Sequence, residues 1–207
     1  MLYLLTPPDA ARSLTPSALA AVLETGAVSW LQLRLKDTAE ADIIVYARAI
    51  QPLCARANVK LILNDSPALA ATLQLDGAHV GSDDMPLNEA RAALGTGKIL
   101  GASCYDNLET ASVAVAEGAD YLAFGAFFDT TTKTAKTRPA PELLTAAKQR
   151  FPGKILVAIG GITVDNAGAL LAHGADMLAV TAGVWQHPNG AITAAHDFKT
   201  IMDKARL

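Results

Sequence analysis

Two segments of this sequence combine cations and hydroxyls at spacings that suit phosphate binding. The segment "LQLRLKD" alternates leucines with Gln32, Arg34 and Lys36. The segment "FGAFFDTTTK" begins as an apolar strand and ends in Thr130, Thr131, Thr132 and Lys133. Hydroxyls and cations clamp phosphate oxygens well, so the sequence predicts a phosphate or diphosphate site. A solvated surface loop, continuing to Lys136 and Arg138, is the alternative for the second segment.

The alternation around Gln32 predicts which way its neighbours face. Side chains two residues apart lie on one face of a strand, so Gln32, Arg34 and Lys36 share a face opposite the leucines. In a closed sheet the two cations would then point inward. Inward charges are costly unless an anion or carboxylates meet them. An exposed edge strand with solvated charges is the alternative.

Carboxylates follow two further apolar runs. The segment "LILNDSP" places Asn64 and Asp65 directly after a strand, and "HVGSDDMP" brings Asp84 to the end of the next one. Two carboxylates beside bound phosphate make a Mg²⁺ site. For Asn64 and Asp65 the alternative is a turn that caps the following helix. Asp83 is the alternative to Asp84.

Glycines follow the last two apolar runs, in "IGGI" at Gly160 and Gly161 and in "VTAG" after Val180. Glycine lets backbone N–H groups approach phosphate oxygens closely. Candidates for a general base are few. His79 is interpreted as a packed, hydrogen-bonded histidine inside a strand, and Cys104 as a small buried residue. The sequence thus offers ligands for a leaving group but no clear general base. This combination favours displacement of diphosphate over proton abstraction.

The elements that position these residues repeat along the chain. Four segments place Gly-Ala after a helical pattern and before an apolar run: 25–34, 75–81, 117–126 and 173–182. Glycine is typical where a helix ends, and the apolar run indicates a strand buried on both faces. Strands are predicted at 2–6, 30–36, 60–64, 77–81, 99–104, 121–127, 155–160 and 177–182. Helices are predicted at about 15–24, 40–57, 67–74, 87–94, 107–117, 140–150, 163–173 and 192–205.

Strict alternation of strand and helix predicts a parallel sheet. Eight such units in 207 residues indicate an α/β fold, a single-domain (β/α)₈ TIM barrel over 1–207. A doubly wound open sheet is the alternative. Active sites of these barrels lie at the carboxyl ends of the strands. The polar residues above, together with Ser103 after the fifth strand, fall at that end.

Composition narrows the class of protein. The chain is 51% hydrophobic with a net charge of −3, which argues against a nucleic-acid partner. It has no signal-peptide pattern and no apolar run of the length that a membrane span needs. Cys54 and Cys104 have neither metal-ligand nor disulfide spacing. We therefore expect a cytoplasmic protein with no membrane or nucleic-acid partner, and leave open whether it is a homo-oligomer.

The motifs resemble, in order, those of the thiamine phosphate synthase family over residues 2–183. They are "LQLRLK", "LILND", "GAHVGSDDMP", "GASCYD", "DYLAFGAFFDTTTK", "VAIGGI" and "LAVTAG". The resemblance implies a barrel that joins hydroxymethylpyrimidine diphosphate to a thiazole phosphate with the help of Mg²⁺. The products would be thiamine phosphate and diphosphate. Diphosphate would leave first, and the thiazole nitrogen would capture the resulting pyrimidine cation.

The resemblance also implies roles by position. Gln32 matches the contact to the pyrimidine, and Asp65 and Asp84 match the Mg²⁺ ligands. Diphosphate ligands are matched by Arg34, Lys36, Asn64, Ser103 and Lys133, of which all but Asn64 are predicted to be catalytic. The thiazole phosphate site is matched by Thr130, Thr132, Gly161, Val180 and Thr181.

Three positions depart from the family pattern. Asp129 stands where Pro is usual, Ser82 replaces Gln or Glu, and Thr181 replaces Ser. A carboxylate at 129 is unfavourable beside phosphate unless it points away or pairs with Lys or Arg. A thiazole tautomerase paralogue commonly has His where Ala126 stands. A non-catalytic barrel that binds phosphorylated ligands, and a phosphosugar epimerase or isomerase, are further alternatives.

Overall fold

Eight parallel strands close into a barrel in the order of the chain, with β1 hydrogen-bonded to β8 as well as to β2. The computed structural model describes residues 1–81, 85–130 and 137–205. The strands are β1 Leu2–Leu5, β2 Val28–Leu33, β3 Lys60–Asn64, β4 Gly77–Val80, β5 Ile99–Tyr105, β6 Tyr121–Gly125, β7 Ile155–Ile159 and β8 Met177–Val180. The predicted (β/α)₈ barrel is confirmed, and the open doubly wound sheet is wrong because β1 and β8 pair.

Helices lie between the strands at every predicted place. They are α2 Pro16–Leu23, α3 Glu40–Arg56, α4 Pro67–Thr72, α5 Leu87–Leu94, α6 Leu108–Ala116, α7 Glu142–Arg150, α8 Ala167–Ala172 and α10 Ala191–Lys204. Two short helices, α1 Ala10–Ser13 and α9 Ala182–Trp185, were not predicted. One helical turn is too short to produce a hydrophobic period. Within the described ranges, no helix is long and apolar enough to cross a bilayer.

The strands separate two apolar cores. Leu31 and Leu33 belong to the larger core, between the strands and the helices. Trp30 belongs to the smaller core inside the barrel. Gln32 also points into the barrel, where its side chain is bonded to Tyr3. The predicted alternation along β2 is therefore confirmed.

The limits of β2 differ from the prediction. The strand covers Val28–Leu33 rather than 30–36, so Arg34 and Lys36 lie just beyond its carboxyl end. Pairing with both β1 and β3 excludes the edge-strand alternative. The two cations stand at the rim of the barrel, where they are half-buried or exposed instead of enclosed.

The Gly-Ala repeats of the sequence lie at the amino ends of the strands, at the opposite end of the barrel from the predicted site. Gly118 and Gly174 end their helices at φ of 98° and 99°, a conformation that favours glycine. The aspartates two residues later each accept a backbone N–H from the preceding strand. Asp120 accepts from Leu100 and Asp176 from Leu156, both at 2.8 Å. These carboxylates join neighbouring strands at their amino ends, away from the predicted chemistry.

Candidate active site

A cavity opens at the carboxyl ends of the strands and has two adjoining lobes. The large lobe has a volume of about 650 Å³ and the small lobe about 150 Å³. Arg34, Ser103 and Tyr105 line both lobes. A molecule bound in one lobe therefore lies next to a molecule bound in the other, at the side chains that separate them.

The small lobe contains most of the predicted diphosphate and pyrimidine ligands. The predicted residues that line it are Gln32, Arg34, Lys36, Asn64, Asp65 and Ser103. They come from the ends of β2, β3 and β5, because parallel strands in one barrel end at the same rim. The structure thus brings together three segments that are far apart in the sequence.

Arg34 is held at this rim through its backbone. The buried hydroxyl of Thr6 accepts the Arg34 N–H at 3.0 Å and donates to the Arg34 carbonyl at 3.3 Å. The guanidinium is half-buried, and burial lowers its pKa, an effect that the nearby Asp65 carboxylate opposes. Removing this cation from water is unfavourable, so an anion in the cavity would be attracted to it.

Asp65 and Lys36 form an ion pair across the ends of β3 and β2. Lys36 Nζ lies 2.5 Å from Asp65 Oδ2, and both side chains remain partly exposed. The Asp65 backbone adopts a left-handed φ of 65°, and its N–H donates to the His79 carbonyl at 2.8 Å. The cap of α4 is Ser66, and no side-chain cap bond forms there. Neither Asn64 nor Asp65 is the cap residue, but the segment does turn before the helix, with the Ser66 N–H donating to the Asn64 carbonyl at 2.9 Å.

The oxygen donors at the end of β3 fit a Mg²⁺ ion. Mg²⁺ is commonly held by one or two carboxylates together with substrate phosphates and water, and Asp65 supplies one such carboxylate at the cavity wall. Among the described residues no group of three or more His, Cys, Asp or Glu side chains could hold a metal. The second predicted ligand, Asp84, lies outside the described residues, as does its alternative Asp83.

The large lobe is formed by the loops after β6, β7 and β8. The predicted residues Thr130, Gly161, Val180 and Thr181 all line it. Gly161 has a φ of 61°, and a Cβ at this position would lie 2.1 Å from the Asp129 carbonyl oxygen. The loops after β6 and β7 therefore pack backbone against backbone, with the Phe128 N–H donating to the Gly160 carbonyl at 3.1 Å.

Asp129 also lines the large lobe, where a carboxylate would repel a phosphate. Its side chain is paired with Arg138, which donates to both carboxylate oxygens. The sequence left open whether this carboxylate would point away or pair with a cation. The structure shows the pairing, which offsets the negative charge.

A hydrogen-bonded chain crosses the barrel at the small lobe, and its members Tyr3, Gln32, His79 and Ser103 line that lobe. Gln32 donates to the Tyr3 hydroxyl at 2.8 Å, and the hydroxyls of Tyr3 and Tyr121 lie 2.8 Å apart. His79 Nδ1 lies 2.8 Å from the Tyr121 hydroxyl, and His79 Nε2 lies 2.9 Å from Ser103 Oγ. His79 is thus packed and hydrogen-bonded, as predicted.

Sequence reasoning missed Tyr3, Tyr121 and Tyr105. The first two point into the barrel, and the period of two along β1 and β6 could have placed them there. Tyr105 ends β5 with a left-handed φ of 54° and contributes to both lobes. An aromatic residue at a strand end was the available signal for Tyr105.

Two predicted ligands of the opening motif lie outside the described residues. They are Thr132 and Lys133, which follow the described Thr130. Cys104 is buried, and burial raises the pKa of its thiol to about 12, so it is a poor nucleophile. Its interpretation as a small buried residue is confirmed.

Comparison with known proteins gives a consistent result. Residues 2–184 match the family model described as thiamine monophosphate synthase. A thiamine-phosphate synthase of Rhodospirillum centenum is 47% identical over 201 residues, which is 97% of each chain. A thiamine-phosphate synthase of Methylobacillus flagellatus is 45% identical over 184 residues, covering 89% of this chain and 87% of the other.

A solved structure of a similarly named protein has the same fold. A thiamine phosphate pyrophosphorylase from Pyrococcus furiosus superposes with a TM-score of 0.84 at 27% identity. The match covers 99% of this chain and 96% of that one. The structural match therefore extends along the whole chain.

Proposed function

This chain belongs to the thiamine monophosphate synthase family, and on that premise we propose that it is a transferase that joins hydroxymethylpyrimidine diphosphate to a thiazole phosphate. The resemblance seen in the sequence motifs is thereby confirmed at the level of the family. The observation that carries the proposed reaction is the pair of adjoining lobes, which meet at Arg34 and Ser103. Two phosphorylated substrates need two neighbouring compartments, with the leaving group placed between them.

The character of each lobe supports an assignment of the substrates. The small lobe carries the cations and the buried amide of Gln32, and it takes the pyrimidine and its diphosphate. The large lobe carries the hydroxyls of Thr130 and Thr181 and the glycine loop at Gly161, and it takes the thiazole phosphate. Glycine loops admit phosphate oxygens to backbone N–H groups, whereas Arg and Lys neutralise a higher charge.

The proposed chemistry is a displacement in two steps. The bond between the pyrimidine methylene carbon and the diphosphate oxygen breaks, and its electron pair leaves with diphosphate. The thiazole nitrogen then gives its lone pair to the methylene carbon, forming thiamine phosphate. Neither step needs proton abstraction, which agrees with a site composed chiefly of groups that stabilise an anion.

The leaving group defines what the residues at the lobe junction do. Charge grows on diphosphate as the carbon–oxygen bond breaks, so a donor aimed at it is worth more in the transition state than in the ground state. Arg34, Lys36, Asn64 and Ser103 are the described candidates. Lys133 is the remaining one.

Magnesium fits the same proposal. Asp65, together with Asp84, would hold the ion against the diphosphate oxygens. When bound, Mg²⁺ supplies charge neutralisation for the leaving group. Because Asp65 is paired with Lys36, its carboxylate would be shared between this cation and the metal.

The two buried cysteines, Cys54 and Cys104, form no disulfide, which fits a protein of the reducing cytoplasm.

A two-substrate assay tests the proposal. The purified protein is mixed with both precursors and Mg²⁺, and diphosphate release and thiamine phosphate are measured in parallel. We expect equal amounts of both products and neither product from one precursor alone. Asp65→Asn is the matched control for background hydrolysis. Failure to form thiamine phosphate with both precursors present would overturn the proposal.

The tautomerase alternative can be separated in the same samples. Ala126, which lines the large lobe, stands where that paralogue commonly has His. A tautomerase would change the thiazole alone, a conversion visible by NMR without the pyrimidine precursor. Binding of either precursor without any product would favour the non-catalytic barrel instead.

A further inference from the structure

We propose that Tyr3, Tyr121 and His79 are positioning residues between Gln32 and Ser103. They form a chain of hydrogen bonds, called the relay below, in which every proton points in the same direction along the chain. All members of the relay except Tyr121 line the small lobe. Its two ends are a pyrimidine-contact residue and a leaving-group residue of the proposed function, on which this inference rests. Each of its four hydrogen bonds is between 2.8 and 2.9 Å long. Tyr121 lines neither lobe, whereas Tyr3 and His79 line the small lobe, so Tyr121 would act only through its neighbours in the relay.

Most of the residues in the relay are buried, so their hydrogen-bonding groups need partners within the protein. Tyr3 and Tyr121 are 1% and 0% exposed, and Gln32 and His79 are 3% and 8% exposed. A buried polar group that loses its partner is strongly destabilised, so each proton of the relay needs an acceptor. Burial raises the pKa of both phenols, and each therefore keeps its single proton.

The proposed order starts at the amide end, with the Tyr3 proton directed along the relay and not into the small lobe, which Tyr3 also lines. The amide nitrogen of Gln32 can only donate, so the Tyr3 oxygen accepts there and the Tyr3 proton goes to the Tyr121 oxygen. The Tyr121 proton then goes to His79 Nδ1. A neutral imidazole with an accepting Nδ1 carries its proton on Nε2, which donates to Ser103 Oγ.

This order decides what the two ends offer to a substrate. Ser103 accepts from His79, so its own proton is available to an oxygen of the leaving diphosphate. Gln32 keeps one amide proton and its carbonyl oxygen, a donor and acceptor pair that the edge of a pyrimidine ring can match. With the opposite order, Ser103 would donate to His79, and its hydroxyl could only accept from the cavity side.

Packing holds the central ring in place. The Tyr121 ring crosses Gly101, where an added Cβ would lie 1.9 Å from the ring atom Cζ. The ring also stacks on His79 at a centroid distance of 5.5 Å and meets the edge of Tyr3 at 5.8 Å. Its hydroxyl therefore has a fixed position between Tyr3 and His79, and a Tyr121→Phe variant can keep the ring contacts while losing the relay.

The first experiment compares Tyr121→Phe with Tyr46→Phe. Tyr46 is a buried tyrosine of α3 whose hydroxyl donates to the Leu14 carbonyl at 2.8 Å, outside the barrel interior. Each variant loses one buried phenol hydroxyl, which makes two hydrogen bonds in Tyr121 and one in Tyr46, so both should unfold at a lower temperature. Only Tyr121→Phe should lower kcat, by about tenfold, the equivalent of one buried hydrogen bond. Equal kcat values for the two variants would overturn the relay.

A double-mutant cycle tests whether His79 acts through Ser103. His79→Asn can keep a partner for Tyr121 but is too short to reach Ser103. It should lower kcat in the wild-type background and have little further effect in a Ser103→Ala background. Losses that multiply independently would assign His79 a role apart from Ser103.

The third experiment needs no catalytic activity. Nitrogen NMR of ¹⁵N-histidine-labelled protein reports the tautomer of His79, which is assigned with His79→Gln. We expect the proton on Nε2 and a hydrogen-bonded Nδ1, with the Nδ1 resonance changing in Tyr121→Phe but not in Tyr46→Phe. A proton on Nδ1 in the wild type would overturn the proposed order. If the protein makes no thiamine phosphate, the proposed function fails while the tautomer still decides the relay.

Discussion

Lys36 Nζ lies 2.5 Å from Asp65 Oδ2, so a proposed diphosphate ligand and a proposed metal ligand bind each other directly. Both residues stand at the carboxyl ends of adjacent strands, β2 and β3. Each would therefore serve the substrate only by sharing or exchanging its present partner. This relationship makes metal affinity and diphosphate affinity depend on each other.

The first prediction separates these two affinities. In Lys36→Met, Asp65 loses a competing cation, so the Mg²⁺ concentration at half-maximal activity should fall. The KM for the pyrimidine diphosphate should rise by about tenfold or more, because a charged hydrogen bond is lost. Asp65→Asn should raise the Mg²⁺ requirement and lower kcat strongly. Steady-state kinetics at varied Mg²⁺ will measure the Mg²⁺ requirement of both variants. If the requirement changed in the same direction in Lys36→Met and Asp65→Asn, the proposed competition would be contradicted.

The second prediction concerns Arg34. Burial lowers the pKa of this guanidinium, so the charged side chain is held in an unfavourable environment. Arg34→Met should weaken binding of the pyrimidine diphosphate by about 10- to 100-fold, as expected for lost charged hydrogen bonds. The melting temperature without substrate should stay equal or rise. Calorimetry of binding and of unfolding measures both quantities, and a large drop in melting temperature would show that Arg34 has a structural role.

The third prediction concerns the segment after Thr130. Lys133→Ala should lower kcat by about 10²–10³, by analogy with the loss of a donor aimed at a developing anion. Thr132→Ala should chiefly raise the KM for the thiazole phosphate. Kinetics with each substrate varied in turn will separate the two effects. Small, equal KM changes with unchanged kcat would identify an ordinary surface loop.

The fourth prediction is a pH dependence of stability. Burial raises the pKa of the Cys54 and Cys104 thiols to about 12, from an ordinary value of 9.0. Above pH 9.0 the unfolded chain can ionise these thiols while the folded chain cannot. Their contribution to stability is therefore complete below that pH and decreases as the pH rises toward 12.

Denaturant titrations at several alkaline pH values check this dependence. The Cys104→Ala variant should lose stability less steeply with pH than the wild type. A thiol reagent offers a second readout, because the native protein should react slowly and the denatured protein at both cysteines. Rapid labelling of the native protein would contradict the burial.

The fifth prediction concerns Asp176, which accepts the Leu156 N–H at 2.8 Å and pairs with Lys148. Asp176→Ala should lower the free energy of unfolding by about 1–3 kcal/mol, the cost of leaving a buried donor without its acceptor. Because Asp176 lies at the amino ends of the strands, kcat should not change. Lys148→Ala is the matched control, since it removes the partly exposed ion pair but leaves the backbone bond, and it should cost less.

The sequence predicted the barrel well because parallel strands buried on both faces leave continuous apolar runs. It also placed Gln32 on the inner face, since the period of two is strict. The end of β2 was less accurate, because Arg34 and Lys36 continue the alternation after the sheet pairing stops. A side-chain pattern carries no information about where backbone pairing ends.

Individual contacts in the site were harder to predict than its location. That Lys36 would pair with Asp65 depends on the distance between the ends of two different strands, whereas Arg138 is nine residues from Asp129 in the same loop after β6. The relay through Tyr3, Tyr121 and His79 crosses the barrel between elements up to 118 residues apart. Such contacts follow from the closure of the barrel and leave no local signal in the sequence.

Three aspartates at the amino ends of the strands each join two consecutive strands of the barrel. Asp76 joins β4 to β3 through the Leu61 N–H, Asp120 joins β6 to β5, and Asp176 joins β8 to β7. Each carboxylate thus ties two consecutive βα units into one module, and the seam between β4 and β5 falls between two such modules. Backbone pairing still crosses the boundaries between modules, since β4 and β5 pair from Gly77 to Val80, so the carboxylates reinforce a continuous barrel.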